Sequence, residues 1–289
     1  MDIVFVILHY MTPEYTKKCV ESIQCRLDTK KYKIIIVDNA SPDKSGQVLA
    51  TLYESSEDVD VILLEENCGF AKGNNIGIKL SREKYNPKFL VVTNNDTELL
   101  STNLFSQLCE DYNQNQFSLL GPMICTKDGK CNVNPINERK NPRQWFEGYL
   151  RHNIRLDKLA DINMDVIFLN LLKLYGSIKG KRNKLLDRKP YNIVKLNCEL
   201  HGCCLIFSPK FFEKMSGFDS RTFMYCEETI LYYACQKNNL ITMYDPSIAF
   251  YHEEEASTTK SAVSKKDKRK NRYNWTIDAI KILLDNYLL

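Results

Sequence analysis

The most informative part of the sequence reads Phe89-Leu-Val-Val-Thr-Asn-Asn-Asp96, a short apolar run that ends in a carboxylate. Its aliphatic and β-branched side chains predict a buried strand. In open α/β sheets, ligands bind outside the carboxyl ends of the strands, where Asp96 would lie. A carboxylate at this place could hold a hard divalent cation that bridges phosphate oxygens. Taken alone, residues 94–96 are more typical of a turn and a cap for a helix near Ser101.

The composition is that of a globular chain with a sizeable core. The 289 residues fit one large domain or one domain with an appendage, and 44% of them are hydrophobic and 26% charged. The net charge of +4 does not by itself indicate a partner. No apolar run reaches the ~18 residues that a membrane-spanning helix needs, so we expect no span but leave contact with a membrane surface open.

The eleven cysteines are scattered along the chain and form no Cys-x-x-Cys pair. Neither a zinc ribbon nor a thioredoxin-like motif is therefore present. Because no signal peptide is evident, we expect reduced thiols in a cytoplasmic protein. This expectation includes Cys125 and Cys131, which flank a Lys-Asp-Gly turn.

Strand and helix patterns alternate through the first hundred residues. Apolar runs predict strands at residues 2–8, 33–37, 59–64 and 89–96. Helices are predicted to begin at Pro13, at Ser41-Pro42 and at about Ala71. This order predicts βαβ units with right-handed crossovers, and thus an α/β fold whose mostly parallel central sheet is flanked by helices. Polar loops would then leave all four strands at one edge of the sheet.

Glycines that suit a phosphate site occur late in this half of the chain. An NAD-binding enzyme needs Gly-x-Gly-x-x-Gly directly after the first strand, where this chain has His9-Tyr-Met-Thr-Pro13, and a Walker loop is also missing. Instead, Gly69, Gly73 and Gly77 mark the third strand-to-helix junction. There the backbone can approach a ligand, and the helix N-terminus offers N–H groups to an anion. The alternatives are a plain turn at Gly69 and a close helix–sheet contact at Gly77.

The pattern changes after residue 131. Residues 132–195 are predicted to be a helical insertion, with an apolar run at 166–174 and basic residues from Lys179 to Lys189, which either covers the core or contacts an acceptor or a membrane surface. Residues 196–258 return to strands and helices, with a short last strand at 242–244. Residues 259–289 are predicted to be a basic linker and an amphipathic helix, which either docks on the core or meets an anionic membrane leaflet. We expect no nucleic-acid partner, because aromatic and basic residues are not interleaved.

Six segments form a set in a fixed order along the chain. They are Val37-Asp-Asn-Ala-Ser41, residues 67–77, Thr93-Asn-Asn-Asp-Thr97, Gly202-Cys-Cys-Leu-Ile-Phe207, residues 217–228 and Tyr251-His252. The set resembles family-2 inverting glycosyltransferases of the GT-A fold, and especially their bacterial rhamnosyltransferase-like branch. The resemblance implies a GT-A fold in which residues 1–131 bind a nucleotide sugar and residues 196–258 carry the acceptor site and the catalytic base.

The resemblance also implies where the donor binds. Asp38 would accept a hydrogen bond from N3–H of uracil or thymine. The other donor-binding positions would be His9, Tyr10 and Thr12 around the base, Asn67, Gly69, Lys72, Gly73 and Asn74 along the ribose and diphosphate, and Asn94 and Asn95 beside them. Asp96 and His252 would hold Mn²⁺ or Mg²⁺, a Lewis acid that stabilises the departing nucleotide.

An inverting transfer needs a group that takes the proton of the acceptor, because a sugar hydroxyl is a poor nucleophile. A positioned general base is worth ~10²–10⁴-fold. The family usually has Glu-Asp at this place, whereas this chain has Glu227-Glu228. We assign Glu228 as the base, and Glu227 as the alternative or as a partner that orients the acceptor. The other interpretation is that both acids only stabilise the first turn of a helix.

The resemblance, together with these features, implies a metal-dependent glycosyltransferase of the hexosyltransferase class. The donor would be dTDP-rhamnose or a UDP-sugar, and the acceptor a lipid-linked saccharide in the synthesis of a surface polysaccharide such as capsule or O-antigen. We expect a cytoplasmic, peripheral membrane protein at the inner face of the plasma membrane and leave oligomerisation open. The alternative is a catalytically inactive nucleotide-sugar-binding or scaffold protein of the same fold, because Ile230 stands where the family often has another acid.

Overall fold

Parallel strands and intervening helices build the first half of the fold. The computed structural model describes residues 1–178, 191–254 and 264–288. The first elements are β1 Ile3–His9, α1 Pro13–Arg26, β2 Tyr32–Asp38, α2 Ser45–Leu52, β3 Val59–Leu63, α3 Gly69–Leu80 with a π-helical turn at Ser81–Tyr85, and β4 Phe89–Asn94. Pro13 occupies the first turn of α1, as expected. Helix α2 begins later than Ser41-Pro42, because Lys44 takes a left-handed conformation directly before it.

The second half adds shorter strands, the helical insertion and a long C-terminal helix. Its elements are β5 Thr97–Leu99, α4 Leu104–Asn115, β6 Leu119–Thr126, α5 Pro142–Asp161, α6 Asp165–Ile178, β7 Lys195–Leu196, β8 Cys204–Phe207, α7 Pro209–Phe212, α8 Glu227–Lys237, β9 Thr242–His252 and α9 Lys265–Asn286. Strand β9 is much longer than the predicted 242–244, because it pairs with β6 and then with β5 as far as His252.

The described strands form one sheet in the order β3-β2-β1-β4-β8-β6-β9-β5, and β7 pairs with β9. The neighbours β3, β2, β1 and β4 are parallel. Strand β8 is antiparallel to both β4 and β6, so β6 and β9 run in the same direction as β4. Only the short strands β5, β7 and β8 are reversed among the described residues. The mostly parallel sheet predicted from the sequence is therefore confirmed.

Both faces of the sheet are buried. Along β1, Ile3, Phe5 and Ile7 face one layer of the core, and Val4 and Val6 face the other. Helices α1, α2 and α4 contribute to the first layer, and α3, α7 and α8 to the second. This burial on both sides explains why the strands appear in the sequence as near-continuous apolar runs.

Helix α9 packs on α5 and α8, so its apolar side is covered. The shared cluster consists of Phe146 from α5, Ile230, Tyr232 and Tyr233 from α8, and Ala279, Ile280, Leu283 and Leu284 from α9. Of the two arrangements that the sequence left open, the helix docked on the core is the one observed.

The basic residues 265–272, predicted to be a linker, instead form the first two turns of α9. Ser264 begins the helix by accepting a hydrogen bond from the Asp267 N–H at 3.1 Å. Arg269 then pairs with Asp165, which starts α6, and Lys270 pairs with Asp161 at the end of α5. These acids offset the positive charge and allow the helix to extend. Lys260 and the basic run from Lys179 to Lys189 lie outside the described residues.

Helix α6 exposes apolar side chains to solvent. Val166 is 40% exposed, Ile167 49%, and Leu171 and Leu174 59% each. In the described part of the chain, no helix combines the length and the apolar character needed to cross a bilayer.

A disulfide joins Cys125 and Cys131. The Thr126 N–H donates to the carbonyl oxygen of Lys130 at 2.8 Å, and this turn brings the two cysteine Cα atoms within 4.0 Å. The expectation that every thiol is reduced is therefore wrong for this pair. The chain's other nine cysteines are free.

Replacing Gly77 with alanine should destabilise the protein. A Cβ at this position in α3 would lie 2.4 Å from Cγ1 of Val6 in β1, as expected for a close helix–sheet contact. Overpacking of this kind costs about 1–3 kcal/mol. Urea unfolding followed by circular dichroism measures the loss. Gly148→Ala in α5, where the nearest atom would be 3.9 Å away, is the matched control and should be neutral or slightly stabilising. Equal stability of the two variants would contradict the packing.

Candidate active site

The loops that follow β1, β2, β3 and β4 meet at one edge of the sheet, as the sequence predicts. Asn39, directly after β2, joins three of them. Its backbone N–H donates to the carbonyl oxygen of His9 at 3.0 Å. Its side chain accepts from the Cys68 N–H at 2.9 Å and donates to the carbonyl oxygen of Gly69 at 3.1 Å. Asn39 therefore fixes the loop after β3 against the loops of β1 and β2.

Asp38 ends β2 and is only 2% exposed. Both of its carboxylate oxygens lie 3.3 Å from the Ser41 N–H, which donates to them. Gly46 in α2 leaves room for this carboxylate, because a Cβ there would lie 2.1 Å from Asp38 Oδ2. Asp38 is thus held in one position at the edge where base recognition is predicted.

Two of the three residues predicted to shape the base pocket are buried. His9 is fully enclosed, with Nδ1 2.7 Å from Thr16 Oγ1 and Nε2 2.9 Å from Ser45 Oγ. Burial also lowers the pKa of His9, although the charges of Asp38 and Asp43 oppose this shift. Thr12 is 1% exposed, whereas Tyr10 is partly exposed. His9 and Thr12 therefore support the loops from beneath, and Tyr10 is the one of the three that is open to a ligand.

The start of α3 presents two of its predicted donor residues and buries the others. Asn67 and Lys72 are exposed, and Asn67 Oδ1 accepts from the Gly69 N–H at 2.9 Å. A Cβ on Gly73 would lie 2.6 Å from a leucine side chain of β1. Asn74 is fully buried and donates to a carbonyl one turn earlier at 3.0 Å. Gly73 and Asn74 therefore serve the packing of α3, while Asn67 and Lys72 remain accessible.

Asp96 lies in the turn between β4 and β5, beside His252 at the end of β9. The pairing of β5 with β9 aligns Thr97 with His252, and Asp96 Oδ1 is 3.3 Å from His252 Nε2. Asn95 holds the turn by donating to Thr12 Oγ1 at 2.6 Å. His252 Nδ1 is buried and has no hydrogen-bond partner in the described part of the protein. A carboxylate and an incompletely bonded imidazole so close together fit a divalent cation, so the turn and metal interpretations of residues 94–96 are compatible.

Two further side chains approach this point from the segment before β8. The ring centroids of His201 and His252 are 5.7 Å apart. Donor atoms of His201, Cys203 and His252, which we call the histidine–cysteine cluster, all lie within 4.8 Å of one another. Burial, with a smaller effect of His252, lowers the pKa of His201 to about 4. Sequence analysis missed His201 and Cys203, although both flank Gly202 in a matched segment.

The two candidate bases open α8 after a constrained turn. Tyr225 and Cys226 have φ angles of +78° and +63°, which residues other than glycine adopt only where the surroundings hold them. Glu227 is buried, and its Oε1 has no partner within the described ranges. Glu228 is partly exposed, and a Cβ on Gly202 would lie 3.3 Å from its Oε2. Glu228 therefore lies beside Gly202, the residue between the two cluster members His201 and Cys203.

The loop before α8 links the start of α3 to the C-terminal helix. The carbonyl oxygen of Phe223 accepts from the Phe70 N–H at 2.7 Å, and a Cβ on Gly69 would lie 2.3 Å from this oxygen. Gly69 is thus more than a plain turn, since its φ of +79° and this contact both exclude a side chain. On the other side, Phe223 stacks on Trp275 of α9 at 4.7 Å between ring centroids.

Comparison with known protein families adds to this geometry. The family model described as Glycosyl transferase family 2 matches residues 4–175. The chain belongs to glycosyl transferase family 2. The match begins in β1 and ends in α6, so it includes all four loops at the sheet edge and the turn that carries Asp96.

A relative from Haloferax volcanii, the low-salt glycan biosynthesis hexosyltransferase Agl10, is 25% identical over 239 residues. The aligned part is 83% of this family 2 chain and 63% of Agl10, so the chain spans less than two thirds of that relative. Among solved structures, GalNAc-T7 with UDP, GalNAc and Mn²⁺ has a TM-score of 0.59 at 12% identity, covering 100% of this chain and 49% of that one. The mannosyltransferase PcManGT from Pyrobaculum calidifontis, in complex with GDP-Man and Mn²⁺, has a TM-score of 0.53 at 10% identity, covering 98% and 74%. These similarities confirm the GT-A fold.

Three residues beside the family 2 motifs were also missed from the sequence. Glu199 forms an ion pair with Arg139 and accepts a hydrogen bond from Thr229 Oγ1 at 2.6 Å. Burial raises the pKa of Glu228; Glu199 adds to this rise, whereas Arg139 opposes it. Glu199 precedes Gly202 by three positions, so its place beside a matched segment was a usable signal. Arg139 lies in the insertion, where no pattern pointed to it.

Glu227→Gln should stabilise this family 2 protein at alkaline pH. Burial, and then the charge of Glu228, raise the pKa of Glu227 from 4.5 to about 8. A raised native pKa means that stability is fully present below the unfolded-state pKa and is lost as the pH rises through the native one. The variant avoids this loss, so its free energy of unfolding should exceed that of the wild type by roughly 1–3 kcal/mol at pH ~8 and by little at pH ~4.

Urea unfolding across this pH range tests the prediction. Glu138→Gln, which removes an exposed carboxylate paired with Lys195, is the control and should show no alkaline gain. A difference between Glu227→Gln and the wild type that stays constant with pH would contradict the raised pKa.

Proposed function

We propose that this chain is an inverting glycosyltransferase, which moves a sugar from a nucleotide-diphosphate donor to a hydroxyl group of a saccharide acceptor. Membership of family 2 supports the reaction class. One observation carries the proposal: Asp96 with His252, and Glu228 from another element, approach the segment 201–203 at the carboxyl edge of the sheet. A cation-binding end and a proton acceptor in one place are what such a transfer requires.

Glu228 acts as the general base in this proposal. Its partial exposure lets an acceptor hydroxyl reach the carboxylate. Its pKa is raised, and a general base is most effective when its pKa lies near the working pH. The carboxylate takes the hydroxyl proton as the oxygen attacks the anomeric carbon and the nucleotide diphosphate leaves from the opposite side. Glu227 is less suited, because it is enclosed and its Oε1 contacts no described donor.

Asp96 and His252 would hold Mn²⁺ or Mg²⁺ at the other end of the site. Bound there, the cation supplies Lewis-acid stabilisation of the negative charge on the leaving diphosphate. The Mn²⁺ in the structures of GalNAc-T7 and PcManGT supports this assignment. The protein's own part is to fix both ligands, which it does through the pairing of β5 with β9.

Residues along the loops that follow β1, β2 and β3 would bind the rest of the donor. The Asp38 carboxylate has lone pairs left for N3–H of uracil or thymine beside those used by the Ser41 N–H. Tyr10 would contact the base, and Asn67 and Lys72 the ribose and diphosphate. This pattern favours a UDP-sugar or dTDP-rhamnose as donor.

For the acceptor, we propose a lipid-linked saccharide in surface polysaccharide synthesis at the cytoplasmic face of the plasma membrane. The exposed apolar side of α6 supports contact with a membrane, and the apolar side of α9 does not, because α5 and α8 cover it. Between residues 179 and 189, directly after α6, the sequence has six basic residues and one acidic residue. Apolar side chains next to such a positive charge suit an anionic lipid surface.

Turnover tests the two assigned carboxylates. Glu228→Gln should lower kcat by about 10²–10⁴-fold while donor binding persists, because only proton removal is lost. Asp96→Ala should weaken metal-dependent donor binding, measured by calorimetry with UDP or dTDP and Mn²⁺. The control variant Glu138→Gln should keep both turnover and metal-dependent donor binding. Full activity of Glu228→Gln and Asp96→Ala would contradict the site assignment.

The same experiment separates the alternative function. Donor binding without transfer from any sugar in a panel of UDP-, dTDP- and GDP-linked donors to lipid-linked acceptors would favour a nucleotide-sugar-binding or scaffold protein. Ile230, where the family often has an acid, is the feature that keeps this alternative in view; the structure places it in the core between α8 and α9.

Vesicle sedimentation tests the membrane contact. Leu171→Glu with Leu174→Glu on α6 should reduce binding to anionic phosphatidylserine vesicles by at least about tenfold, because two exposed leucines lose their transfer into the lipid. Val48→Glu with Leu52→Glu is the matched control, because these α2 side chains are also about half exposed. Equal loss in both double variants, or no loss in either, would rule out α6 as the membrane contact.

A further inference from the structure

The histidine–cysteine cluster adds donor atoms to a metal site to which the resemblance assigns only Asp96 and His252. The three members of the cluster come from two separate parts of the chain, the segment before β8 and the end of β9. Their donor atoms lie within 4.8 Å of one another, and His252 Nε2 is also 3.3 Å from Asp96 Oδ1. His252 Nδ1 remains buried without a partner in the described structure.

The backbone around the cluster is held on both sides. The Cys203 carbonyl oxygen accepts hydrogen bonds from the Asn94 N–H at 2.8 Å and from Thr93 Oγ1 at 3.1 Å. The Cys203 N–H in turn donates to His201 Nδ1 at 3.3 Å. His252 is fixed by the pairing of β9 with β5. Around a single ion with bond lengths of about 2.0–2.3 Å, the donor atoms would lie about 3.5 Å apart. Metal binding would therefore draw the donor atoms of the cluster closer together than the 4.8 Å within which they now lie.

The chemistry of the donors distinguishes between metals. Mg²⁺ requires oxygen ligands in near-ideal octahedral geometry. Of Asp96, His252 and the two further cluster residues, only Asp96 supplies an oxygen ligand. Imidazole nitrogen and thiolate sulfur instead suit transition metals, and affinities for such donors rise from Mn²⁺ through Co²⁺. A site with one carboxylate, two imidazoles and a thiol is thus a poor match for Mg²⁺.

We propose that His201 and Cys203 join Asp96 and His252 as ligands, so that this site selects Mn²⁺, Co²⁺ or Zn²⁺ over Mg²⁺. The inference depends on the proposed function only for the position of the ion at the donor diphosphate. Metal binding by the free protein is measurable without donor or acceptor, so the metal selectivity and the proposed function can be tested separately. Loss of sugar transfer with intact metal selectivity would count against the function, and transfer with Mg²⁺ as effective as Mn²⁺ would count against the inference.

Cobalt spectroscopy of the full chain tests the thiol directly. Titration with Co²⁺ should produce visible ligand-field bands together with a near-ultraviolet thiolate-to-cobalt band. Cys203→Ser should abolish the near-ultraviolet band. Cys204→Ser is the matched control, because this neighbouring cysteine is equally buried but lies outside the cluster, and it should keep the band. A Cys203→Ser protein that retains the band, with circular dichroism showing it folded, would overturn the role of Cys203.

Mn²⁺ titration followed by electron paramagnetic resonance tests the second imidazole. His201→Ala should weaken Mn²⁺ binding by at least about tenfold, the smallest effect expected even for a residue that only supports a ligand. His152→Ala, in α5 and away from the cluster, should bind Mn²⁺ like the wild type. Competition by Mg²⁺ should need a large excess over Mn²⁺. Unchanged affinity in His201→Ala, or displacement of Mn²⁺ by an equal concentration of Mg²⁺, would overturn the proposal.

Discussion

The antiparallel pairing of β4 with β8 is the interaction on which the candidate site depends. Thr93 lies opposite Cys204, and Thr93 Oγ1 donates to the Cys203 carbonyl oxygen. Because the two strands run in opposite directions, the residues that precede β8 lie where β4 ends. The segment 201–203 therefore stands beside the turn that carries Asp96, although the whole helical insertion separates them along the chain. If all strands were parallel, only the loops that follow a strand would lie at this edge, and a segment that precedes a strand would not.

The pairing of β4 with β8 also places the segment 201–203 next to Glu228 of α8. Gly202 has no side chain, and the Glu228 carboxylate occupies the space that a Cβ would restrict. Glu199, just upstream, balances its charge against Arg139 from the insertion. The insertion thus contributes to the electrostatics around the proposed base, in addition to covering the core.

Much of the fold could be predicted because its strands are buried on both faces and alternate with helices. The apolar runs at β1, β2, β3 and β4 gave their positions within about two residues, and the edge where their loops meet followed from parallel packing. The full length of β9 could not be predicted, since its continuity to His252 comes from pairing with β5 and β6 rather than from an apolar pattern. The Cys125–Cys131 disulfide depends on how tightly the chain turns between the two residues, which spacing alone leaves open.

Sequence reasoning was less successful at separating residues that would touch a ligand from those that support the loops. His9 at the end of β1 and Asn74 in a matched segment were both predicted to bind the donor, yet both side chains are fully buried, because the sequence does not reveal which residues at a strand end or a helix start are enclosed. His201 and Cys203 were missed for the opposite reason. Both flank Gly202 of a matched segment, but their closeness to His252 arises only when β8 and β9 join the sheet, so the sequence position did not reveal it.

The stacking of Phe223 on Trp275 has a thermodynamic consequence for the C-terminal helix. The carbonyl oxygen of Phe223 also accepts a hydrogen bond from the Phe70 N–H, so one short loop contacts both α9 and the start of α3. If a ligand that orders the start of α3 strengthens the attachment of α9 through this loop, then the attachment of α9 strengthens the binding of that ligand by the same free energy. Order at the start of α3 and order in the C-terminal helix would in that case be linked through the Phe223 loop, without any contact between α9 and a bound ligand.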